Sequence, residues 1–173
     1  MKSFSFDPST AECLVFTRKA GVLAAVAHDL KLRVQRFEIV IDDGGIRARF
    51  DATSLRVVCA QVGGKDDPRA LSQRDRAEID ATIARDVLDA AKHPEIEFRS
   101  GPVAAAGPAI EGMLSIHGRE RALTLKPRRE SDRAIVETML HQPDFGIRPY
   151  SAMLGALRIQ PDVRVRIATP WPE

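Results

Sequence analysis

Apolar and polar residues alternate along much of the chain, which is the pattern of β-strands with one buried and one exposed face. In residues 28–41 the alternation changes phase, because the apolar set moves from even to odd positions. The change predicts one inserted residue, a β-bulge, near Gln35 and Arg36, since otherwise the second half would turn its apolar side to water. A bulge bends a strand, and long bent strands allow a sheet to close on itself.

The same alternation predicts further strands at residues 13–18, 46–50, 95–99, 110–117, 123–125, 135–141 and 157–167, with a short strand in residues 1–7. An amphipathic helix is predicted where Ile79, Ile83 and Val87 recur at four-residue spacing. This helix begins at Asp67 or at Ser72 and ends before residue 94, a proline, and residues 21–27 predict one or two helical turns. About eight strands joined mostly by hairpins predict an all-β fold, a closed antiparallel β-barrel with the helix between its early and late strands.

Composition limits the class of protein. A chain of 173 residues with 44% hydrophobic and 29% charged residues is typical of one soluble domain, residues 1–173. A net charge of +2 does not indicate a nucleic-acid partner. No stretch approaches the ~18 apolar residues of a membrane span, and no signal peptide is visible, so we expect a cytoplasmic chain without stable membrane insertion. Cys13 and Cys59 are expected as reduced thiols, a single bridge being the alternative.

The inward-facing apolar residues either line a ligand cavity or fill the interior, because small barrels of about eight strands do both. The candidate lining is Phe16, Leu32, Phe37, Phe50, Phe98, Leu114, Phe145, Met153 and Leu157. Three residues are candidates for holding a polar headgroup at the mouth, namely His28, Arg148 and Tyr150.

Other chemistries have weaker patterns. His28 beside Asp29 would suit general-base catalysis, but neighbours in a strand point to opposite faces and no nucleophile motif accompanies the pair. We expect His28 either to cap a helical turn or to line the mouth of the barrel, where the Asp29 carboxylate forms a hydrogen bond with loop backbone. The four histidines lack metal-ligand spacing, so no metal is expected. The arginines of residues 119–129 and 158–166 form either a basic binding face or a solvated outer face.

Three segments in order resemble the YceI-like family of polyisoprenoid-binding proteins. They are DVLDAAKHPEIEFRS at residues 86–100, GMLSIHGRERALTL at residues 112–125 and PDFGIRPY at residues 143–150. The resemblance implies a lipocalin-like barrel whose lumen holds an isoprenoid or similar lipid, a tendency to form a homodimer, and no cofactor besides such a lipid. Most relatives are exported.

Two functions from different classes remain open at this point. The first is non-catalytic binding or carriage of a long apolar ligand in the lumen, which the resemblance favours. The second is an interaction module with a filled core, which acts through its outer face or through dimerisation. An enzyme built on His28 and Asp29 is a third reading, and we expect no enzyme.

Overall fold

The computed structural model describes residues 3–24, 27–103 and 109–171. These residues contain sixteen β-strands and one α-helix, so the expectation of a mostly β fold with a single helix is confirmed. The strands are β1 (Phe4–Phe6), β2 (Glu12–Thr17), β3 (Lys19–Ala20), β4 (Asp29–Val34), β5 (Phe37–Asp42), β6 (Gly45–Asp51), β7 (Leu55–Val62), β8 (Lys65–Asp67), β9 (Glu95–Ser100), β10 (Ile110–Ile116), β11 (Arg119–Leu125), β12 (Arg128–Glu130), β13 (Arg133–His141), β14 (Ser151–Ala152), β15 (Leu157–Ile159) and β16 (Asp162–Pro170).

The strands form three antiparallel sheets. A six-stranded sheet has the order β1-β5-β6-β9-β10-β11, a seven-stranded sheet the order β12-β13-β16-β2-β4-β7-β8, and a small sheet the order β14-β15-β3. The expected closed barrel of about eight strands is therefore wrong in both count and closure. Within the described residues, β11 and β12 are edge strands of different sheets, and no ladder of hydrogen bonds joins the sheets into one barrel.

Two of the places where the chain passes between the two large sheets are tight corners. The phase change predicted near Gln35 and Arg36 is one of them, because β4 ends and β5 begins on either side of these two residues. The other is a 3-10 turn, Ala52–Ser54, between β6 and β7. Gln35 N–H donates to the Ser54 carbonyl (3.1 Å) and Arg36 N–H to Ser54 Oγ (2.9 Å), so the corners are tied together. The ladder itself shifts register elsewhere, between Lys31 and Leu32.

The helix, α1, spans Gln73–Thr82 and continues as one π turn, Ile83–Val87. Ser72 is its N-cap in a reciprocal capping box with Asp75, so the second of the two predicted starts is right. The start at Asp67 is wrong, because this residue ends β8 and pairs with β7. Ile79 and Ile83 pack against a buried cluster that contains Leu30 and Leu32. No helix in the described part of the chain has the length and apolar character needed to cross a bilayer.

Three smaller predictions have different outcomes. Residues 21–24 of the predicted helical turns form a turn, and residues 25 and 26 lie outside the described residues. The loop expected at residues 61–69 contains the hairpin of β7 and β8, because Gly63 and Gly64 both have positive φ (58° and 77°) and turn the chain. Cys13 and Cys59 are buried and unbridged.

Candidate functional site: an apolar cavity

A cavity of about 910 Å³ lies between the two large sheets. Its size falls within the roughly 300–1,000 Å³ that is usual for small-molecule sites. Side chains from both sheets, from α1 and from the small sheet line it. The alternative of a solidly filled interior is therefore not what this structure shows.

Alternation along the strands builds one wall of the cavity. Every second residue of the central strands of the seven-stranded sheet points inward, because successive side chains of a strand face opposite sides. These inward residues include Cys13, Val15, Thr17, Leu30, Leu32, Val34, Val163, Val165 and Ile167. Leu32 is only 1% exposed, so this wall is part of the structural core as well as of the cavity.

The six-stranded sheet forms the opposite wall, and one glycine shapes it. On β10, Ile110 and Leu114 line the cavity, and Gly112 occupies the position between them on the same face of the strand. A Cβ atom at Gly112 would lie 2.5 Å from Cζ of Phe98 and 2.5 Å from the carbonyl oxygen of Arg99. The missing side chain therefore gives the Phe98 ring its place in the wall.

The cavity has eight of the twelve predicted ligand residues in its lining. They are His28, Leu32, Phe50, Phe98, Leu114, Phe145, Tyr150 and Leu157. Contact of these residues with a ligand stays a prediction.

The other four lie outside the lining, each for a different reason. Phe16 is on the outer face, where the Arg164 guanidinium stacks on its ring at 4.0 Å. Phe37 packs behind Phe50, with ring centroids 5.7 Å apart. Arg148 points to solvent. Met153 is 67% exposed, in a turn where its own φ is 51°.

Several lining residues were not among the predicted ones. Val15 and Thr17 were missed because β2 has apolar residues on both faces. The aromatic ring of Phe16 suggested that the face containing Phe16 was the inner face of the strand, which is wrong. Ile79 and Ile83 belong to the apolar stripe of the predicted helix, which was a usable signal. Asp75 and Glu78 also line the cavity, and their exposed polar character hid this role.

Polar groups are few in this cavity, and its charged side chains are acidic. Among the described residues that line it, Asp51, Asp75 and Glu78 are carboxylates, and none is Lys or Arg. Hydrogen bonds from the Ser72 side chain and backbone lower the pKa of Asp75, and the nearby His28 contributes to the same effect. Asp75 is therefore ionised at neutral pH. The Thr17 hydroxyl is buried and has no protein hydrogen-bond partner.

The histidines are distributed over three places. His28 lines the cavity, and the Asp29 carboxylate accepts a hydrogen bond from the backbone N–H of Lys19 (2.9 Å), which belongs to strand β3 and not to the predicted loop. His93 and His117 stack on each other with ring centroids 4.4 Å apart. His141 Nδ1 is 2.7 Å from the Asp162 carboxylate. Within the described residues, no group of three or more potential ligands is placed to hold a metal ion.

The arginine-rich outer face of the seven-stranded sheet is matched by carboxylates. Arg128 pairs with Glu130 (2.7 Å), Arg164 pairs with Glu137 (3.3 Å), and Arg166 contacts both glutamates (3.2 and 3.4 Å). These partly exposed pairs neutralise much of the local charge. This part of the arginine set therefore fits a solvated outer face better than a basic binding surface.

The sequence of this chain matches that of a known protein family. The sequence model of the YceI-like domain matches residues 4–170. The chain belongs to the YceI-like family. The resemblance to this family that the sequence analysis expected is therefore confirmed. Among curated proteins, none matches its sequence.

Solved structures of similar fold include three bacterial proteins. A polyisoprenoid binding domain from Saccharophagus degradans has a TM-score of 0.64 and 11% identity, with 98% of each chain covered. BcnA from Burkholderia cenocepacia has a TM-score of 0.61 and 12% identity, with 94% of this chain and 96% of that chain covered. A Campylobacter jejuni YCEI protein has a TM-score of 0.51 and 13% identity, over 85% and 88% of the chains. At these identities, the likeness shows a shared fold.

Proposed function

We propose that this YceI-like protein binds a long apolar molecule, an isoprenoid or similar lipid, in the cavity between its two large sheets, without catalysing a reaction. The observation that carries the proposal is the cavity of about 910 Å³ with its mostly aliphatic and aromatic lining. A structural neighbour of the same fold is described as a polyisoprenoid binding domain, which supports the ligand class.

Binding would be driven by removal of the hydrocarbon tail from water. Each buried CH₂ group contributes about 0.8 kcal/mol, so a tail of ten to twenty carbons offers roughly 8–16 kcal/mol before the costs of ordering. A water-sized group occupies about 30 Å³ in a liquid. A cavity of about 910 Å³ therefore has room for such a tail. The walls are strands held in ladders, so little reorganisation is needed on binding.

The experiment is native mass spectrometry of freshly purified protein, combined with organic extraction of the same sample. We expect a mass above that of the polypeptide, and an extracted lipid that is absent from an equally expressed unrelated protein. The lipid-free protein should then regain an adduct when geranylgeraniol is added. A clean polypeptide mass that stays unchanged with geranylgeraniol would overturn the proposal and favour an interaction module.

A further inference from the structure

One end of the molecule carries an exposed apolar tip, which we define as Val22, Met153 and Leu154. Leu154 is fully exposed and Val22 is 88% exposed, although both side chains are apolar. The two segments of the tip lie side by side, because the Leu23 N–H donates to the Ala156 carbonyl (2.9 Å). Single exposed apolar residues are common on protein surfaces, whereas a cluster of them indicates a surface that contacts another body.

The backbone holds part of this tip in an unfavourable conformation. Met153 and Leu154, in the turn between β14 and β15, have φ values of 51° and 56°, in the left-handed region that bulky residues seldom occupy. Such a conformation costs free energy, and Leu154 gains no burial in return. Asparagine or glycine would form the same turn at lower cost. A strained turn that presents leucine to water therefore indicates that this side chain is used in contact with something outside the chain.

The charges around the tip are positive. Residues 18–24 and 147–160 together contain no acidic residue and four basic ones, namely Arg18, Lys19, Arg148 and Arg158. The three arginines are exposed, and none of them forms an ion pair in the part of the chain that the structure describes. They differ in this respect from the glutamate-paired arginines of the outer sheet face. Their charge is therefore available to an anionic partner.

The tip lies beside a mouth of the cavity. Tyr150 lines the cavity and is also exposed, and Leu157 and Ile159 line the cavity from β15. The small sheet of β3, β14 and β15 thus brings the mouth, the tip and the basic residues to one end of the fold. The two acidic lining residues of α1 are already engaged, one by Ser72 in the capping box and one by Arg74 (3.1 Å).

We infer that this end of the molecule docks on a lipid surface that carries negative charge, with the apolar tip among the headgroups and the basic residues at the lipid phosphates. Apolar side chains combined with neighbouring cations are what peripheral proteins use to bind such surfaces. A second copy of the chain fits less well, because two tips brought together would face each other with like charges. The inference goes beyond the proposed function, since it places the cavity mouth against a lipid surface whatever the cavity holds.

Vesicle flotation tests the docking. The probes are vesicles of phosphatidylcholine alone and vesicles of phosphatidylcholine mixed with phosphatidylglycerol. We expect the protein to float with the mixed vesicles, and raised salt or pure phosphatidylcholine to weaken binding by about fivefold for each basic residue that contacts the surface. Leu154→Asn should weaken binding to the mixed vesicles at least about fivefold, because it removes apolar area from the tip. Asparagine tolerates the left-handed turn, so this variant should be at least as stable as the wild type.

Two control variants separate the tip from general surface effects. Met113→Gln removes an exposed apolar side chain from the outer face of β10, and it should leave flotation unchanged. Arg158→Gln should lower binding to the mixed vesicles by about fivefold. Arg47→Gln removes the same charge from an exposed position of β6, far from the small sheet in the strand order, and it should bind like the wild type.

The outcomes distinguish docking from the proposed function. Failure to float with either kind of vesicle, or equal losses in Leu154→Asn and Met113→Gln, would overturn the inference. So would a wild-type dimer that Leu154→Asn dissociates in analytical ultracentrifugation, since the tip would then meet a second copy. Geranylgeraniol uptake without vesicles, followed by native mass spectrometry, should be equal in Leu154→Asn and the wild type. Flotation of a protein that takes up no geranylgeraniol would support the docking and contradict the proposed function.

Discussion

Ala48 offers a way to block the cavity from its wall. It lies in the middle of β6, between Ile39 of β5 and Phe98 of β9, and its small side chain lines the cavity. In Ala48→Phe the added ring would extend from the sheet into the hollow. Ala48 is only 4% exposed and packs in the core cluster with Ile39 and Phe98, so the larger ring has a packing cost, and we expect the free energy of unfolding to fall by about 1–3 kcal/mol.

The expected loss of binding follows from the volume of the ring. Phenylalanine adds about six carbon atoms, which fill about 180 Å³ at roughly 30 Å³ per water-sized group. This is about a fifth of the roughly 910 Å³ cavity. A tail that filled this space would lose the burial of about six CH₂ groups, an upper limit of about 5 kcal/mol. The roughly 730 Å³ that remain still hold a twenty-carbon tail of about 600 Å³ if the tail rearranges around the ring, so we expect binding to weaken by about tenfold or less.

The chain supplies its own fluorescent reporter for this assay. Trp171 is the single tryptophan of the sequence, and it lines the cavity. Retinol, an isoprenoid alcohol, accepts excitation energy from tryptophan, so its titration gives the affinity directly. Ala122→Phe makes the same substitution at an exposed position of β11 and should bind retinol like the wild type. Unchanged affinity in a folded Ala48→Phe protein would refute binding in the hollow.

Three further predictions concern the framework of the cavity. Ser72→Ala removes the N-cap of α1 and should lower the free energy of unfolding by about 1 kcal/mol in urea titrations; no change would mean that the capping box is not formed. Gly112→Ala should destabilise the protein by roughly 1–3 kcal/mol, because the new Cβ would collide with Phe98 and with the Arg99 carbonyl, and an unchanged melting temperature would contradict this packing. Burial raises the pKa of the Cys13 thiol to about 12, so iodoacetamide should label it near pH 8 only after unfolding, as followed by peptide mapping. The unfolded chain releases the Cys13 thiol proton at a lower pH than the folded protein does. The contribution of this thiol to the free energy of unfolding should therefore be complete below pH 9.0 and should be lost as the pH rises towards about 12.

The long strands could be predicted because each has one face towards the cavity and one towards water. This contrast gave the period of two in β5, β6 and β10, and the amphipathic stripe of α1. Strands β3, β8, β12 and β14 have only two or three residues, too few to show a period, whereas the strand predicted at residues 157–167 is divided into β15 and β16. Whether the sheets close depends on hydrogen bonds between residues far apart in the chain, so local alternation does not report it.

The choice of inner face was harder to predict, and β2 illustrates why. Leu14 and Phe16 look like core residues, yet both are on the outer side of the sheet. Arg33 and Arg166 pair beside Leu14, and Arg164 covers Phe16, so the stems of arginines from neighbouring strands shield this apolar face. Such cover comes from other strands, and no pattern within β2 predicts it. The unpaired hydroxyl of Thr17 likewise becomes visible only when its surroundings are in place.

The central claim is that a hydrocarbon tail occupies the space between the two large sheets. Crystals of the protein with a long-chain alcohol brominated at its far end would test this most directly, because the bromine can be located by anomalous scattering. The account predicts a bromine peak inside the cavity, between the two large sheets. Saturating ligand with bromine peaks only on the outer surface would contradict it.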